Sequence, residues 1–196
     1  MKKAVFLDRD GVLNEVMSGR VRHVNKPSDL HLLPGVPEAV KGLKEAGFLL
    51  CIVTNQGGIG LGFMTEKTLA AIHRRLKKLL AAEDAVIDDI AYCPHRPAAG
   101  CRCRKPKPGM LLDLARKHGI DLARSYTIGD SESDIGAGRA AGTRTIRIGA
   151  ESAGAPASSP DGADFAASSL LEAAVIIVRQ EVETAGGKTG AAARRA

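Results

Sequence analysis

The chain has 196 residues, of which 44% are hydrophobic and 26% are charged, a composition close to that of ordinary globular proteins. It excludes a collagen-like, a fully disordered or a disulfide-dense protein, and the length is typical of one domain or of one domain with a tail. The net charge of +6 favours anionic partners, but tryptophan is absent and only 3% of the residues are aromatic, which argues against a base-stacking platform for single-stranded nucleic acid.

Short apolar runs alternate along the chain with amphipathic stretches, the pattern of parallel strands joined by crossover helices. The predicted strands cover residues 4–7, 48–53, 90–92, 126–128 and 145–148. The predicted helices cover residues 36–46, a stretch that follows an N-cap at Thr65, and residues 110–118, 134–141 and 170–181. A loop rich in glycine, alanine, serine and proline is predicted over 149–162. We therefore expect one α/β domain over residues 1–184 and a disordered tail over 185–196.

The amino-terminal segment does not have the features of a targeting signal. Its apolar run, Ala4 to Leu7, ends at Asp8 and is too short for the core of a signal peptide. No apolar stretch approaches the roughly 20 residues that a membrane-spanning helix needs. These observations predict a cytoplasmic protein, and the lack of an obvious apolar interaction helix predicts a monomer. In a reducing compartment cysteines are metal ligands or small buried residues more often than disulfides, and Cys51, in mid-strand, is predicted to be buried.

Polar residues follow most of the predicted strands at their carboxyl ends. They are the runs 8–11, 54–58 and 93–95, and then Asp130 and Asp134. In a parallel sheet these ends lie along one edge, so carboxylates from separate segments are expected to meet there. Carboxylates are hard oxygen ligands of the kind that Mg²⁺ prefers. A single aspartate would also fit a turn or a helix cap, but the repetition at successive strand ends favours a metal site.

A second group of candidate metal ligands lies between the third predicted strand and the following helix. Cys93, His95, Cys101 and Cys103 supply three thiols and one imidazole, the ligand set of a closed structural zinc site. The spacing differs from that of common zinc fingers, so two unrelated cysteine pairs in a cytosolic loop are the alternative. A site with four protein ligands leaves no open position, so the zinc is predicted to be structural.

Four segments of the chain carry a family resemblance. FLDRDGVLN, VTNQGG, RKPKPGM and GDSESD, in this order and within residues 5–149, resemble the four motifs of the haloacid-dehalogenase (HAD) superfamily of phosphatases. The resemblance implies a three-layer, Rossmann-like α/β fold with a central parallel sheet. A zinc loop over residues 93–103, directly before RKPKPGM, is similar to that of the branch that contains heptose-bisphosphate and histidinol phosphatases.

The resemblance also implies a catalytic centre. Asp8 is expected to be the nucleophile that becomes an aspartyl phosphate, and Asp10 the general acid and base. Mg²⁺ is expected between the Asp8 carboxylate, the Asp10 backbone carbonyl and the Asp130 carboxylate. Asp134 is expected to support this metal site without binding the ion.

Substrate binding is assigned to further residues of the same motifs. Thr54 and Lys105 are expected to complete the catalytic centre, because a hydroxyl and an ammonium can bind phosphoryl oxygens as charge develops on them. Arg104 directly precedes Lys105 and is expected to bind substrate, because an arginine can form bidentate hydrogen bonds with a second anionic or polyol group. Asn14 is expected to brace the loop. The other implied substrate contacts are Arg9, Asn55, Gln56 and Gly57.

The space available for a cap domain narrows the substrate class. Only residues 15–33 separate Asn14 from Pro34, so we expect a minimal cap and a small phosphorylated sugar as substrate. Within the branch, some members remove the C7 phosphate of a heptose 1,7-bisphosphate during synthesis of nucleotide-activated heptose for lipopolysaccharide or other surface glycans. The cations around Arg104 favour this bisphosphate over histidinol phosphate, which carries an amine. The open alternatives are a histidinol phosphatase, a polynucleotide 3′-phosphatase and a non-enzymatic, zinc-stabilised nucleic-acid-binding module.

Overall fold

The computed structural model describes residues 1–149 and 162–192, and its centre is a sheet of six parallel strands. The strands are β1 (Ala4–Leu7), β2 (Leu49–Asn55), β3 (Asp89–Cys93), β4 (Tyr126–Gly129), β5 (Arg144–Ile148) and β6 (Phe165–Ala167). Their order across the sheet is β3-β2-β1-β4-β5-β6, so the direction in which strands are added reverses between β1 and β4. Ligands of open α/β sheets bind at such a switch point. The predicted α/β fold is confirmed.

Helices cover both faces of the sheet. They are α1 (Val36–Glu45), α2 (Glu66–Ala81), α3 (Gly109–His118), α4 (Glu132–Ala141) and α5 (Leu170–Ala192). The core on one face joins Val5 and Leu7 of β1 to residues of α1, α2 and α5. The core on the other face joins Ala4 and Phe6 to α3 and α4. Because both faces are buried, the strands are continuous apolar runs rather than alternating ones.

Two helix starts follow from side-chain caps. The hydroxyl of Thr65 accepts a hydrogen bond from the backbone N–H of Thr68 at 3.1 Å, as the predicted N-cap requires. At the start of α4, Ser131 and Asp134 form a reciprocal capping box. This second cap holds the Asp134 side chain just beyond the carboxyl end of β4.

The carboxyl-terminal region differs from the prediction in two respects. Strand β6 was missed, because a three-residue strand has no periodic pattern; it is held by Asp164, whose carboxylate accepts hydrogen bonds from the Thr145 N–H at 2.7 Å and hydroxyl at 2.8 Å. Helix α5 continues to Ala192, beyond the helix end predicted at residue 181, since no proline interrupts it. Residues 150–161 of the predicted loop and 193–196 of the predicted tail lie outside the described residues.

The minimal cap, residues 15–33, is a compact loop beside the strand ends. Backbone hydrogen bonds of 2.9 Å, from Glu15 to His31, and 3.1 Å, from Leu33 to Leu13, tie its two ends together. Val21 adds an apolar anchor in the core. Over residues 1–149 and 162–192, we find no helix with the length and apolar character needed to cross a membrane.

Asp89, at the start of β3, connects this strand to the end of α3. Its carboxylate accepts hydrogen bonds from Lys117 Nζ at 2.7 Å and from His118 Nε2 at 2.6 Å. Burial raises the pKa of Asp89, but the hydrogen bonds from Lys117 and His118 outweigh burial and lower the pKa to about 2. The ionised carboxylate therefore stabilises the packing of α3 against the edge of the sheet.

Asp89→Asn should lower the free energy of unfolding at pH 7 by about 1 kcal/mol, allowing for solvent screening at the sheet edge. Folding lowers the pKa of this carboxyl from 3.8 to about 2, so its contribution is complete above the unfolded value and disappears as the pH falls to the folded value. Urea denaturation of wild type and variant from pH 7 down to pH 3 measures the difference. The control, Asp113→Asn, removes a more exposed carboxylate paired with Arg116. An equal loss in both variants, or a difference that grows on acidification, contradicts the prediction.

Candidate active site

The charged residues predicted from the sequence meet at the carboxyl ends of the central strands. Asp8 directly follows β1, Asp130 directly follows β4, and Asp134 lies in the first turn of α4. The carboxylate oxygens of these three residues lie within 4.8 Å of one another. Lys105 reaches the same point from the segment that precedes α3.

Lys105 is a buried cation with only 4% of its surface exposed. Its ammonium donates hydrogen bonds of 2.8 Å to Asp8 Oδ1 and to the Val53 carbonyl, and lies 2.5 Å from Asp134 Oδ1. Burial lowers the pKa of Lys105, but Asp8 and Asp134 outweigh burial, so the pKa lies above its ordinary value. The ammonium is therefore charged and aimed at the Asp8 carboxylate.

The carboxylates around Lys105 outnumber the positive charge. Burial, Asp134 and Asp10 raise the pKa of Asp8 to about 7 in spite of Lys105. Burial and the neighbouring Asp134 also raise the pKa of Asp130. A further cation beside these carboxylates would lower both pKa values and favour the ionised forms. Clustered, buried carboxylate oxygens are the donors that Mg²⁺ prefers, so the residues present fit this ion.

Asp10 has different surroundings from Asp8. Its carboxylate accepts hydrogen bonds from Arg9 Nη2 at 2.7 Å, from Asn14 Nδ2 at 3.0 Å and from Gln56 Nε2 at 3.0 Å. Burial raises the pKa of Asp10, but the Arg9 charge and these hydrogen bonds outweigh it, and the pKa lies below its ordinary value. Two neighbouring aspartates thus have pKa values shifted in opposite directions. Asn14 is buried, and its bond to Asp10 is consistent with the expected role of bracing the loop.

The segment after β2 links the predicted substrate residues to one another. The Gln56 amide donates to Thr54 Oγ1 at 2.8 Å as well as to Asp10. The Asn55 side chain donates to the Lys105 carbonyl at 3.2 Å and accepts from the Lys105 N–H at 3.1 Å. Asn55 therefore holds the backbone that carries the Lys105 ammonium. Sequence reasoning missed this role, because no local pattern shows which distant backbone an amide will bind.

Gly11 lets the turn after β1 approach Asp130. Its φ is +83°, and a Cβ atom built on it would lie 1.9 Å from Asp130 Oδ2. Only glycine has both the left-handed conformation and the space that this contact demands. The glycine of the DRDG motif is thus required by the candidate metal site.

The four predicted zinc ligands also meet. The Cys101 sulfur lies 3.6 Å from that of Cys93 and 3.5 Å from that of Cys103, and His95 Nδ1 lies 3.6 Å and 3.3 Å from the Cys93 and Cys103 sulfurs. Zinc bonds of about 2.3 Å to sulfur and about 2.0 Å to nitrogen place tetrahedral ligands roughly 3.5–3.8 Å apart. The four ligand atoms therefore fit a closed tetrahedral zinc site.

The loop that carries this cluster packs closely on the segment after β2. The Gly60 N–H donates to the Pro94 carbonyl at 2.9 Å, and a Cβ on Gly60 would lie 2.7 Å from the Arg96 nitrogen. Arg104 Nη1 donates to the His95 carbonyl at 3.4 Å, and a Cβ on Gly57 would lie 3.2 Å from that nitrogen. The zinc loop thus borders the predicted substrate residues.

A cleft of about 560 Å³ opens beside Asp10, a volume suited to a small metabolite. Its base contains Arg9 and Asp10. One wall is the segment after β2, from Asn55 to Met64, and the other is the minimal cap. The cap residues that line the cleft are Val16, Met17, Arg22, His23, Val24 and Asn25. The sequence left the polar cap residues Gly19, Arg20, Arg22, His23 and Lys26 open between closing over substrate and a plain surface loop, since nothing local to them indicates which side of the loop faces the strand ends. Of these, Arg22 and His23 line the cleft.

The fold and the charged cluster define the class of protein. A parallel sheet of this order, with an aspartate pair after β1, a buried lysine and further aspartates beyond β4, is the arrangement of a HAD-type phosphatase. The family model of HAD-hydrolase-like proteins matches residues 102–173. The predicted phosphoric monoester hydrolase is confirmed.

Relatives identify the family more narrowly. A D-glycero-beta-D-manno-heptose-1,7-bisphosphate 7-phosphatase of Rhodopseudomonas palustris is 39% identical over 154 residues, which cover 75% of this chain and 83% of the relative. A D-glycero-alpha-D-manno-heptose-1,7-bisphosphate 7-phosphatase of Mycobacterium bovis is 36% identical over 88% of this chain and 90% of the relative. The crystal structure of the D,D-heptose 1,7-bisphosphate phosphatase of B. bronchiseptica, complexed with magnesium and phosphate, matches with a TM-score of 0.80 and 34% identity, covering 91% of this chain and 99% of the other. The chain belongs to the D-glycero-D-manno-heptose-1,7-bisphosphate 7-phosphatase family.

Gly11→Ala should lower kcat/KM for phosphate release by about 100-fold, because the added methyl group displaces Asp130 and the turn that carries Asp10. Steady-state kinetics measure the loss, and thermal denaturation shows how much of the protein is folded. Gly42→Ala is the control, since a Cβ there meets nothing within 4 Å in α1 and the change should be stabilising. Full activity of folded Gly11→Ala contradicts the prediction.

Proposed function

We propose that the protein is a Mg²⁺-dependent phosphatase that removes the C7 phosphate of D-glycero-D-manno-heptose 1,7-bisphosphate through an aspartyl phosphate. The observation that carries this proposal is the buried contact of Lys105 with Asp8, in a strand-end cluster whose carboxylates outnumber its one ammonium. The names of the relatives support the sugar bisphosphate as substrate. The product would enter the synthesis of nucleotide-activated heptose for lipopolysaccharide or another surface glycan, and the place of action would be the cytoplasm.

Asp8 is the nucleophile of the proposed reaction. One carboxylate oxygen attacks the phosphorus of the phosphate on C7. The bond from phosphorus to the sugar oxygen breaks, and the phosphoryl group becomes covalently bound to Asp8. Lys105, 2.8 Å from Asp8 Oδ1, lies where its ammonium can also stabilise charge on the phosphoryl oxygens. The Thr54 hydroxyl is assigned to the same oxygens. Water then attacks the aspartyl phosphate and releases phosphate.

Asp10 moves the protons in both steps. In the free protein its lowered pKa favours the carboxylate, the form that accepts a proton from the attacking water in the second step. In the first step a phosphate dianion lies next to Asp10, and a nearby like charge raises a carboxyl pKa. Asp10 can then hold the proton that it donates to the leaving sugar oxygen.

The proposed Mg²⁺ ligands are the Asp8 carboxylate, the Asp10 backbone carbonyl and the Asp130 carboxylate. When bound, Mg²⁺ offsets the repulsion between the phosphate and the Asp8 carboxylate and orients the phosphoryl oxygens. Asp134 accepts hydrogen bonds from the Ser131 N–H at 3.1 Å and hydroxyl at 2.5 Å and contacts Lys105, which suits a supporting position beside the ion.

The proposed zinc site, Cys93, His95, Cys101 and Cys103, has a structural role. Burial and the neighbouring thiols raise the pKa of Cys103 to about 12, while hydrogen bonds from Cys103 and from the Arg104 backbone overcome burial and lower that of Cys101 to about 6. Zinc would satisfy all three sulfurs at once and fix the loop that ends at Arg104 and Lys105. We assign Arg104, Arg9, Asn55, Gln56 and Gly57 to substrate binding around this loop.

The cleft favours the sugar bisphosphate over histidinol phosphate. Among the described residues that line it, Asp10 is the one carboxylate, and Asp10 is paired with Arg9. The amine of histidinol phosphate would therefore meet no unpaired acid there, whereas an anionic substrate meets Arg22. A monomer is sufficient for this site, because every residue that we assign to it comes from one chain.

Asp8→Asn should reduce phosphate release by about 10⁴-fold or more, because the amide is a poor nucleophile. Phosphate release is measured in Mg²⁺ with heptose 1,7-bisphosphate, histidinol phosphate and a 3′-phosphorylated oligonucleotide. Asp113→Asn, a change in an exposed carboxylate on α3, is the control. Preference for the heptose supports the proposal. Preference for histidinol phosphate or for the oligonucleotide shows that the proposed substrate is wrong. Full activity of the Asp8 variant shows that Asp8 is not the nucleophile.

Cys101→Ser should lower the zinc content of the purified protein and its thermal stability, because a structural zinc site stabilises the fold directly. Elemental analysis measures the zinc. Cys51→Ala removes a buried thiol outside the cluster and should keep the zinc of the wild type. Zinc content that is equal in wild type and Cys101→Ser contradicts the zinc site.

A further inference from the structure

Two polar residues of the minimal cap, Arg22 and His23, line the cleft that contains Asp10. They face a wall formed by the segment after β2, in which Asn55 and Gln56 are polar and Leu61 and Phe63 are apolar. The cleft thus has the catalytic carboxylate at its base and an exposed cation in its cap wall. A cation in that position can act on a part of the substrate other than the phosphate that Asp8 attacks.

The cap holds this pair in place. Val21 and Val24, on either side of the pair, are 6% and 3% exposed and belong to the hydrophobic core. The Arg22 carbonyl accepts a hydrogen bond from the Met17 N–H at 3.1 Å, and Ser18 closes the turn that precedes the pair. The backbone of Arg22 is therefore anchored on both sides, which reduces the entropy lost when its side chain binds a ligand.

The charge of Arg22 is available. Arg9, in the same cleft, donates hydrogen bonds from its Nε and Nη2 atoms to the Asp10 carboxylate. Arg20, two residues before Arg22, is paired with Glu15 and lines a different groove. Arg22 has no ion pair with any residue in the described ranges 1–149 and 162–192. A planar guanidinium with free donors binds phosphate in bidentate fashion.

We propose that Arg22 and His23 form the subsite for the second phosphate of the substrate, the one on C1 that is not removed. The inference rests on the proposed function and adds the group that makes the enzyme prefer a bisphosphate to a monophosphate. The guanidinium binds the C1 phosphate, and an imidazole N–H adds a hydrogen bond. The apolar wall, with Leu61 and Phe63, covers the carbon skeleton between the two phosphates. Specificity for the bisphosphate then comes from the cap, while the chemistry stays at the strand ends.

The test compares Arg22→Ala with Arg20→Ala on two substrates, heptose 1,7-bisphosphate and heptose 7-phosphate. Both variants remove one arginine from the same loop, but only Arg22 lines the cleft. In Arg22→Ala, the ratio of kcat/KM for the bisphosphate to kcat/KM for the monophosphate should fall by about 10-fold or more, through KM, because a charge-assisted bidentate contact to the C1 phosphate is lost. Arg20→Ala should keep the wild-type ratio, and Arg22→Lys should recover part of it.

The outcomes separate this proposal from the proposed function. If the wild type prefers the bisphosphate and Arg22→Ala keeps that preference, the subsite is wrong and the function stands. If kcat/KM falls equally for both substrates, Arg22 serves the loop or the reacting phosphate, and the subsite is again wrong. If the wild type releases no phosphate from either heptose, the proposed function and the subsite both fail. Thermal denaturation of each variant shows that the compared proteins are folded.

Discussion

The structure depends on one buried ion cluster, the Lys105 ammonium held between Asp8 and Asp134. A charge this deep is stable only when it is paired, and removal of one partner leaves the others buried without compensation. The carboxylates outnumber the ammonium, so the cluster favours a further cation. A negatively charged substrate needs that cation in order to approach the cluster. Burial, with Asp134 and Asp10, raises the pKa of Asp8 to about 7, whereas the partners of Asp10, two residues further along the chain, lower the pKa of Asp10. The proposed nucleophile and the proposed proton carrier thus have different surroundings.

The parallel sheet makes this cluster possible. Strands β1 and β4 are neighbours at the point where the strand order reverses, so Asp8 and Asp130 emerge side by side although they are far apart in the chain. Both faces of the sheet are covered by helices, which removes water from below the site and increases the strength of its electrostatic interactions. Asn55 then ties the Lys105 backbone to the end of β2. The reacting groups are placed by elements that pack in the core, and this limits their movement.

Loops, in contrast, form the walls around the reacting groups. The candidate zinc cluster folds a segment rich in proline and glycine that has few apolar residues of its own, and it sets the path of the chain just before Lys105. The minimal cap is anchored by Val21 and Val24 and presents Arg22 to the cleft. A short anchored loop can change its polar residues without disturbing the sheet, so the selection of substrates can vary independently of the chemistry.

The amino-acid sequence by itself determined the order of β1 to β5 and of the five helices, the N-cap at Thr65, and the grouping of aspartates and of cysteines with His95, because each follows from local spacing and residue type. It also carried the four motifs that indicated the superfamily. Only the tertiary structure decided that Asn55 binds the Lys105 backbone and that Asp134 contacts the Lys105 ammonium. It also decided that strand β6 exists and that α5 continues to Ala192. In the cap, it decided that Arg22 faces the cleft and Arg20 a different groove. These features depend on contacts between residues far apart in the chain, or on which side of a loop is buried, and packing of the whole domain sets both.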